Sequence, residues 1–312
     1  MKFTPTRFIP ALPARSSSLL ALCALLAAPF LPSVARAEDA APAPFSKVHA
    51  LLNVEVSDAY ITPRGLVVQN NGVIVQPLLI LFWDLYSAGK DSNGFIDDVT
   101  LNTGIWNSIH SNREGATPSY WREIDPFAGF TVKFDKKWVF DIGYTAFKST
   151  SDDYKTSTNL DLKLTYHDTW FDKVSINPYV EFFDEVNNKA TVSLGGTLHD
   201  TGYYFQIGAT PAYTIPGTKV KLELPSYFTL VSSNFYHKFS GADGGSGVGL
   251  YTTELKASMP LPISPAYGFW SAYAGVQYYH LINDGLIDGN QALGATRDRD
   301  LVQFHTGVTV FF

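Results

Sequence analysis

From Asn159 to His167 the chain alternates without a break: Leu160, Leu162, Leu164 and Tyr166 fall on one side, Asn159, Asp161, Lys163, Thr165 and His167 on the other. Successive side chains of a strand point to opposite faces, so this segment predicts a strand with one greasy face and one wet, charged face. The pattern returns at Val220, Leu222 and Leu224 against Lys219, Lys221 and Glu223, and at Phe140, Ile142, Tyr144 and Ala146 against Asp141, Gly143 and Thr145. It returns again at Ile176, Pro178, Val180 and Phe182 against Asn177, Tyr179 and Glu181. Read through to the end, the alternation predicts an all-β chain of about twelve strands, near 48–58, 66–84, 97–108, 122–134, 138–148, 157–168, 174–184, 202–213, 219–231, 249–259, 269–281 and 301–312. Most are close to the ~9–11 residues that a tilted membrane-spanning strand needs. The second span is too long for one strand, and its Leu78 to Trp83 core gives no clear facing.

Alternation alone does not separate a soluble sandwich, greasy inside, from a membrane barrel, greasy outside. Three features favour the barrel. Short links (Asp135 to Lys137, Thr214 to Thr218) tend to alternate with long polar ones (149–156, 185–201, 232–248, 282–300), and one-sided loop length marks membrane barrels. The last predicted strand puts Val302, Phe304, Thr306, Val308, Val310 and Phe312 on one face and ends on Phe312; Phe304, Val308, Val310 and Phe312 then form an assembly signal of the kind that barrel-assembly machinery reads. The N-terminus, finally, reads as a signal peptide.

Lys2, Arg7 and Arg15 precede an apolar run from Leu19 to Phe30, and Ala35-Arg36-Ala37 offers small residues for cleavage. The expected division is a signal peptide over 1–37, cleaved after Ala37, a flexible periplasmic lead-in over 38–47, and a transmembrane antiparallel β-barrel over 48–312 with short periplasmic turns and long outer loops. The expected location is the outer membrane of a Gram-negative cell. Cys23 is the one cysteine and Leu22 precedes it, which does not suit lipoprotein cleavage; without the leader, disulfides and Cys-bound metals are excluded. The net charge is −6 and becomes more acidic once the basic leader is gone, which argues against a nucleic-acid partner. No later stretch is apolar for the 18 residues that a spanning helix requires. Aromatics make up 14% of the chain, and the tryptophans (Trp83, Trp106, Trp121, Trp138, Trp170, Trp270) fall mostly near strand ends, as in an interfacial girdle.

Several segments resemble the TorF-like family of outer-membrane porins. They are Asn53-Val54-Glu55-Val56-Ser57-Asp58-Ala59-Tyr60 with Arg64-Gly65, Gly104-Ile105-Trp106-Asn107-Ser108, Glu123-Ile124-Asp125-Pro126-Phe127-Ala128-Gly129-Phe130, and Asp141-Ile142-Gly143-Tyr144. The resembling segments together cover about a third of the mature chain, in its first half. It implies an outer-membrane channel of undefined substrate, and no catalytic residues.

With greasy faces on lipid, the wet faces line a lumen. Glu55, Asp125, Asp141, Asp161, Glu181, Glu223 and Glu254 are then lumen candidates, with Lys133, Lys163, Lys221, Lys256, His167 and His305. Rings of charge set ion preference, and an acid excess favours cations. The expected function is passive diffusion of small solutes or ions, with no cofactor and no enzymatic activity. Partners are the bilayer, the barrel-assembly machinery and the solutes; the sequence leaves the oligomeric state open. The rival is a structural or adhesive barrel with a closed lumen, since about twelve strands lie between filled eight-stranded barrels and open porins of sixteen or more. Lipid-hydrolysing barrels carry a His-x-Ser pair; here Ser108 and His110 share a face in the reverse order, while His110 and Ser111 splay apart, so His110 reads as a plain histidine near a loop. Asp91 to Asp98 lacks the spacing and closing Glu of a calcium loop and reads as a turn.

Overall fold

The computed structural model describes residues 48–89, 94–114, 118–189, 201–238 and 240–312. The expected signal peptide and lead-in, and residues 91–93 of the Asp91 to Asp98 segment, lie outside the described residues.

In chain order the strands are β1 (Val48–Ser57), β2 (Tyr60–Ile61), β3 (Val67–Gln69), β4 (Ile74–Ser87), β5 (Ile96–Glu114) and β6 (Ser119–Phe134). Then come β7 (Trp138–Ser149), β8 (Ser157–Tyr166), β9 (Val174–Ser175), β10 (Pro178–Asn187), β11 (Tyr203–Ala209) and β12 (Ala212–Thr214). The last are β13 (Lys221–Glu223), β14 (Ser226–Val231), β15 (Gly247–Pro260), β16 (Phe269–Leu281) and β17 (Asp300–Phe311), with one α-helix, α1, over Asp284–Ala292.

Every strand except β2 and β3 joins one antiparallel sheet that closes on itself, β1 pairing with β17 and β14 with β15. Three walls are broken in two. Pro211 separates β11 from β12 and Pro225 separates β13 from β14, because proline has no N–H for the ladder. Asn177, at φ 47°, separates β9 from β10. Counting each broken pair as one wall gives the twelve-stranded transmembrane barrel expected from the alternation.

The barrel is greasy outside. Val180 is 43% exposed while its neighbour Glu181 is 0% exposed. Leu52, Leu79, Phe130, Phe205, Ile207, Phe228, Leu255, Val276 and Phe304 are likewise exposed. A soluble sandwich would reverse these fates. The start of β1 and the end of β17 lie at one rim. There Phe95, Phe134, Trp138, Tyr166 and Trp170 form a run of ring contacts with centroids 4.8–6.3 Å apart. Amphipathic rings of this kind sit at membrane interfaces. At this rim Asp168 accepts the backbone N–H groups of Ile176 and Asn177, each at 2.6 Å, and closes the turn after β8.

Three expectations change. The 66–84 span is not one strand: β4 begins at Ile74, and 58–73 leaves the wall and folds into the barrel. Trp106 is not in the girdle; it faces inward, 5.6 Å from the Tyr60 ring. Val310 faces outward but is 2% exposed, because the turn at Gly268 covers it, while Phe304 and Phe312 remain exposed.

Candidate functional site

The segment between β1 and β4 is built to turn inward. Thr62-Pro63-Arg64-Gly65 forms a tight turn in which the Gly65 N–H bonds to the Thr62 carbonyl at 2.8 Å. Pro63 presets φ at the second position, and Gly65 takes φ 82°, a region that glycine enters without cost. A Cβ at Gly65 would meet Leu250, Leu286 and Leu281 within 2.8–3.0 Å. The turn joins β2 and β3 into a small hairpin with Arg64 at its tip.

Hydrogen bonds from several directions hold this hairpin. Gln303 donates to the Ala59 carbonyl (2.7 Å), Tyr279 to Ile61 (3.3 Å), Tyr227 to Pro63 (3.0 Å), Tyr236 to Arg64 (2.6 Å) and Asn290 of α1 to Gly65 (3.1 Å). Asn290 also accepts the Val67 N–H at 2.9 Å. Tyr60 donates to Glu123 at 2.9 Å, and Tyr154 donates to the other oxygen of that carboxylate at 2.6 Å. Ala59, Ile61 and Val67 pack with Phe147, Phe183, Tyr204, Phe235, Tyr236, Leu250, Leu281 and Leu286 into an apolar core. The outer half of the barrel is thus filled by its own first loop, and α1 caps it.

Ser108 and His110 meet as their shared face requires, Oγ to Nε2 at 2.8 Å, and the other ring nitrogen of His110 bonds to Gln69 of the hairpin. The trio has the connectivity of a nucleophile, a base and an orienting amide. Ser108 and His110 are nevertheless buried, with Gln76 also on the Ser108 hydroxyl. The arrangement ties hairpin to wall, with His110 buried against the folded-in loop.

Inside the sheet the wet faces align in register. One row runs Thr131, Asp141, Lys163, Glu181, Gln206, Thr229 across six neighbouring strands. In it Thr131 donates to Asp141 at 2.6 Å, and Lys163 lies 4.0 Å from Glu181. Asp161 lies one step along the same inward face of β8, half-buried. On the other side Glu254 meets His305 at 3.1 Å, and Glu223 meets Lys221 at 2.8 Å and Lys256 at 3.8 Å. Glu55 and Asp125 are buried inward, and one Glu55 oxygen has no hydrogen-bond partner.

Two candidates stand apart. Lys133 is exposed at the rim where β1 starts and β17 ends, 3.9 Å from Asp98. His167 bonds to Asn177 at 3.1 Å beside the rim turn, so it does not meet His305. Among the described residues no cluster of His, Cys, Asp or Glu could hold a metal.

The alternation gave no notice of Arg64, Phe147, Phe183 or Tyr204 as a group. A signal was present: Phe147 and Phe183 continue the wet faces of their strands, Asp141-x-Gly143-x-Thr145-x-Phe147 and Tyr179-x-Glu181-x-Phe183. A large ring on a lumen face needs something apolar to pack against.

No family model matches the chain, and no curated protein matches it in sequence. Among solved structures it is similar to an outer membrane channel from Pseudomonas putida F1, at 11% identity and a TM-score of 0.45, over 85% of this chain and 94% of that one. It is also similar to the NanC porin, at 10% identity and 0.41, over 85% and 99%, and to Pseudomonas putida OprB, at 8% and 0.40, over 85% and 93%. Likenesses this weak carry no argument, so the function has to follow from the barrel's own residues.

Proposed function

We propose that the chain is an outer-membrane channel of the porin type, exported by cleavage after Ala37, that passes small solutes or ions with a mild preference for cations. The observation that carries this is the charged inner wall. A barrel that needs only to be filled can use apolar side chains, as the cluster of Phe147, Phe183, Phe235, Leu250, Leu281 and Leu286 does beside the hairpin. The rest of the wall instead carries Glu55, Asp125, Asp141, Asp161, Glu181, Glu223 and Glu254 against Lys163, Lys221 and Lys256, and an acid-rich wall lowers the barrier to a cation. The resemblance to TorF-like porins supports the reading. Its segments supply Tyr60, Arg64 and Gly65 of the hairpin, and Trp106, Ser108 and Glu123 of the wall around it.

The hairpin 60–69 sets the constriction, and conduction requires it to yield. Purified protein in planar bilayers tests this. Small or infrequent steps are expected from the native chain, and larger ones when 59–69 is replaced by a short Gly-Ser linker. No steps from either form would overturn the channel. The filled outer half favours a second reading, a closed structural barrel whose loops meet a partner, and that reading predicts silence from both. A lipid-hydrolysing role would need activity that disappears in His110→Ala; the enclosed Ser108 hydroxyl favours a non-enzyme.

A further inference from the structure

Arg64 reports on the chemistry of the place that it occupies. It is 5% exposed, with its guanidinium carbon 4.6 Å from the Phe147 ring centroid and 5.4 Å from that of Phe183. The two rings are stacked, 6.4 Å apart and 16° from parallel. Tyr204 stacks on Phe183 at 4.7 Å and 8°, and Phe235 closes edge-on to Tyr204 at 5.2 Å. Phe147 of β7 and Phe183 of β10 thus form an aromatic cage for the guanidinium, extended by Tyr204 of β11 and by Phe235 of an outer loop, whose own ring lies 5.8 Å from the Lys189 ammonium.

The cage lacks what a guanidinium most requires. Arginine has five N–H donors, yet the Arg64 Nε has no hydrogen-bond partner. Among the described residues no carboxylate lies within ion-pair distance of Arg64. The nearby Glu123 carboxylate already accepts the hydroxyls of Tyr60 and Tyr154. The pull on the side chain is therefore the attraction of the Phe147 and Phe183 faces for positive charge, together with the longer-range field of the Glu123 and Glu185 carboxylates. That attraction suits a cation with no donors to satisfy, and arginine is a poor match for it.

We propose that Phe147 and Phe183, extended by Tyr204 and Phe235, form a binding site for quaternary ammonium solutes, and that Arg64 occupies its Phe147 and Phe183 faces from within the chain when the hairpin is closed. A quaternary ammonium carries the charge that the rings attract and leaves no N–H unsatisfied. The acid-rich wall raises the local concentration of such a cation, and its entry displaces Arg64 and frees the tip of the hairpin. This rests on the channel reading for its physiological purpose; the site itself does not require conduction.

The test is calorimetric titration of the full-length purified barrel in detergent with tetramethylammonium chloride, against sodium chloride at equal ionic strength. Arg64→Ala empties the cage and is expected to bind tetramethylammonium at least about tenfold more tightly than the native chain, since the competing side chain is gone. Adding Phe147→Leu and Phe183→Leu keeps the site apolar but removes the ring faces, and is expected to abolish the gain. Equal binding by Arg64→Ala and the triple variant, or none by either, overturns the proposal. Heat-modifiable gel migration certifies folding, and Arg64→Ser replaces Arg64→Ala if the latter does not fold. Bilayer currents on the same samples separate the two readings. Binding without conductance keeps the site and sinks the channel, whereas conductance without binding does the reverse.

Discussion

Val180 and Glu181 are adjacent in the chain and meet different solvents. Val180 lies in the greasy outer belt and Glu181 in the polar inner row. A cationic side chain on the lipid face at mid-depth costs about 2–4 kcal/mol, whereas on the inner face it meets water or an opposite charge. Val180→Arg is therefore expected to lower stability by about 2–4 kcal/mol in urea unfolding from lipid vesicles. Gln206→Lys, on the inner row beside Glu181, is expected to cost much less. Equal losses would mean that the faces are assigned wrongly. Arg64 shows the same rule at another place: a charge enters this interior because aromatic faces receive it.

At the scale of elements the hairpin is the unit that decides access. Its backbone carbonyls are taken by side chains from the wall, from an outer loop and from α1, and each such bond contributes about 1 kcal/mol net. The Gln69–His110–Ser108 tie is one of these holds. His110→Ala strands two buried polar partners and is expected to weaken the closed state by about 1–3 kcal/mol. In a bilayer this reads as more frequent or longer openings than in the native chain; unchanged gating would remove the tie from the closure. The turn after β8 gives a pH-dependent counterpart. What burial there is raises the Asp168 carboxyl, but the N–H groups of Asn177, Ile176 and Trp170 outweigh it and hold its pKa below the usual aspartate value. A depressed folded-state pKa stabilises above the unfolded value of ~3.9 and is lost as pH falls through the folded one. Asp168→Asn is thus expected to lower stability at neutral pH and to flatten the acid-side decline. An unaltered acid limb would show that the turn does not contribute.

For the whole molecule, closure of the sheet puts acids from β1, β6, β7, β8, β10, β13 and β15 around one interior. Reversal potentials across a salt gradient are expected to favour potassium over chloride in the form with the hairpin replaced. Glu181→Gln with Glu254→Gln is expected to reduce that preference. A channel equally selective before and after would show that these carboxylates do not set the field.

The twelve walls were legible because period 2 is a local property: each residue's face is fixed by its neighbours in the chain. The same holds for the wet-face residues from Glu55 to His305, whose side follows from parity alone. Parity was silent on 58–73. There Tyr60 to Gln69 alternates too weakly to separate a strand from a hairpin, so the expected span starts at residue 66, eight residues before β4 does. Nearness to a strand end suggests the girdle for Trp106, whereas its parity with Ser108 turns it inward. Whether the lumen is open depends on contacts between residues far apart in sequence, Arg64 with Phe147 and Phe183, Gln69 with His110, Gly65 with Leu286. Those contacts exist only once the barrel has closed. The sequence by itself determined a barrel with a polar inside, and the tertiary structure alone decided what fills it, because alternation specifies a face and not the partner that the face will meet.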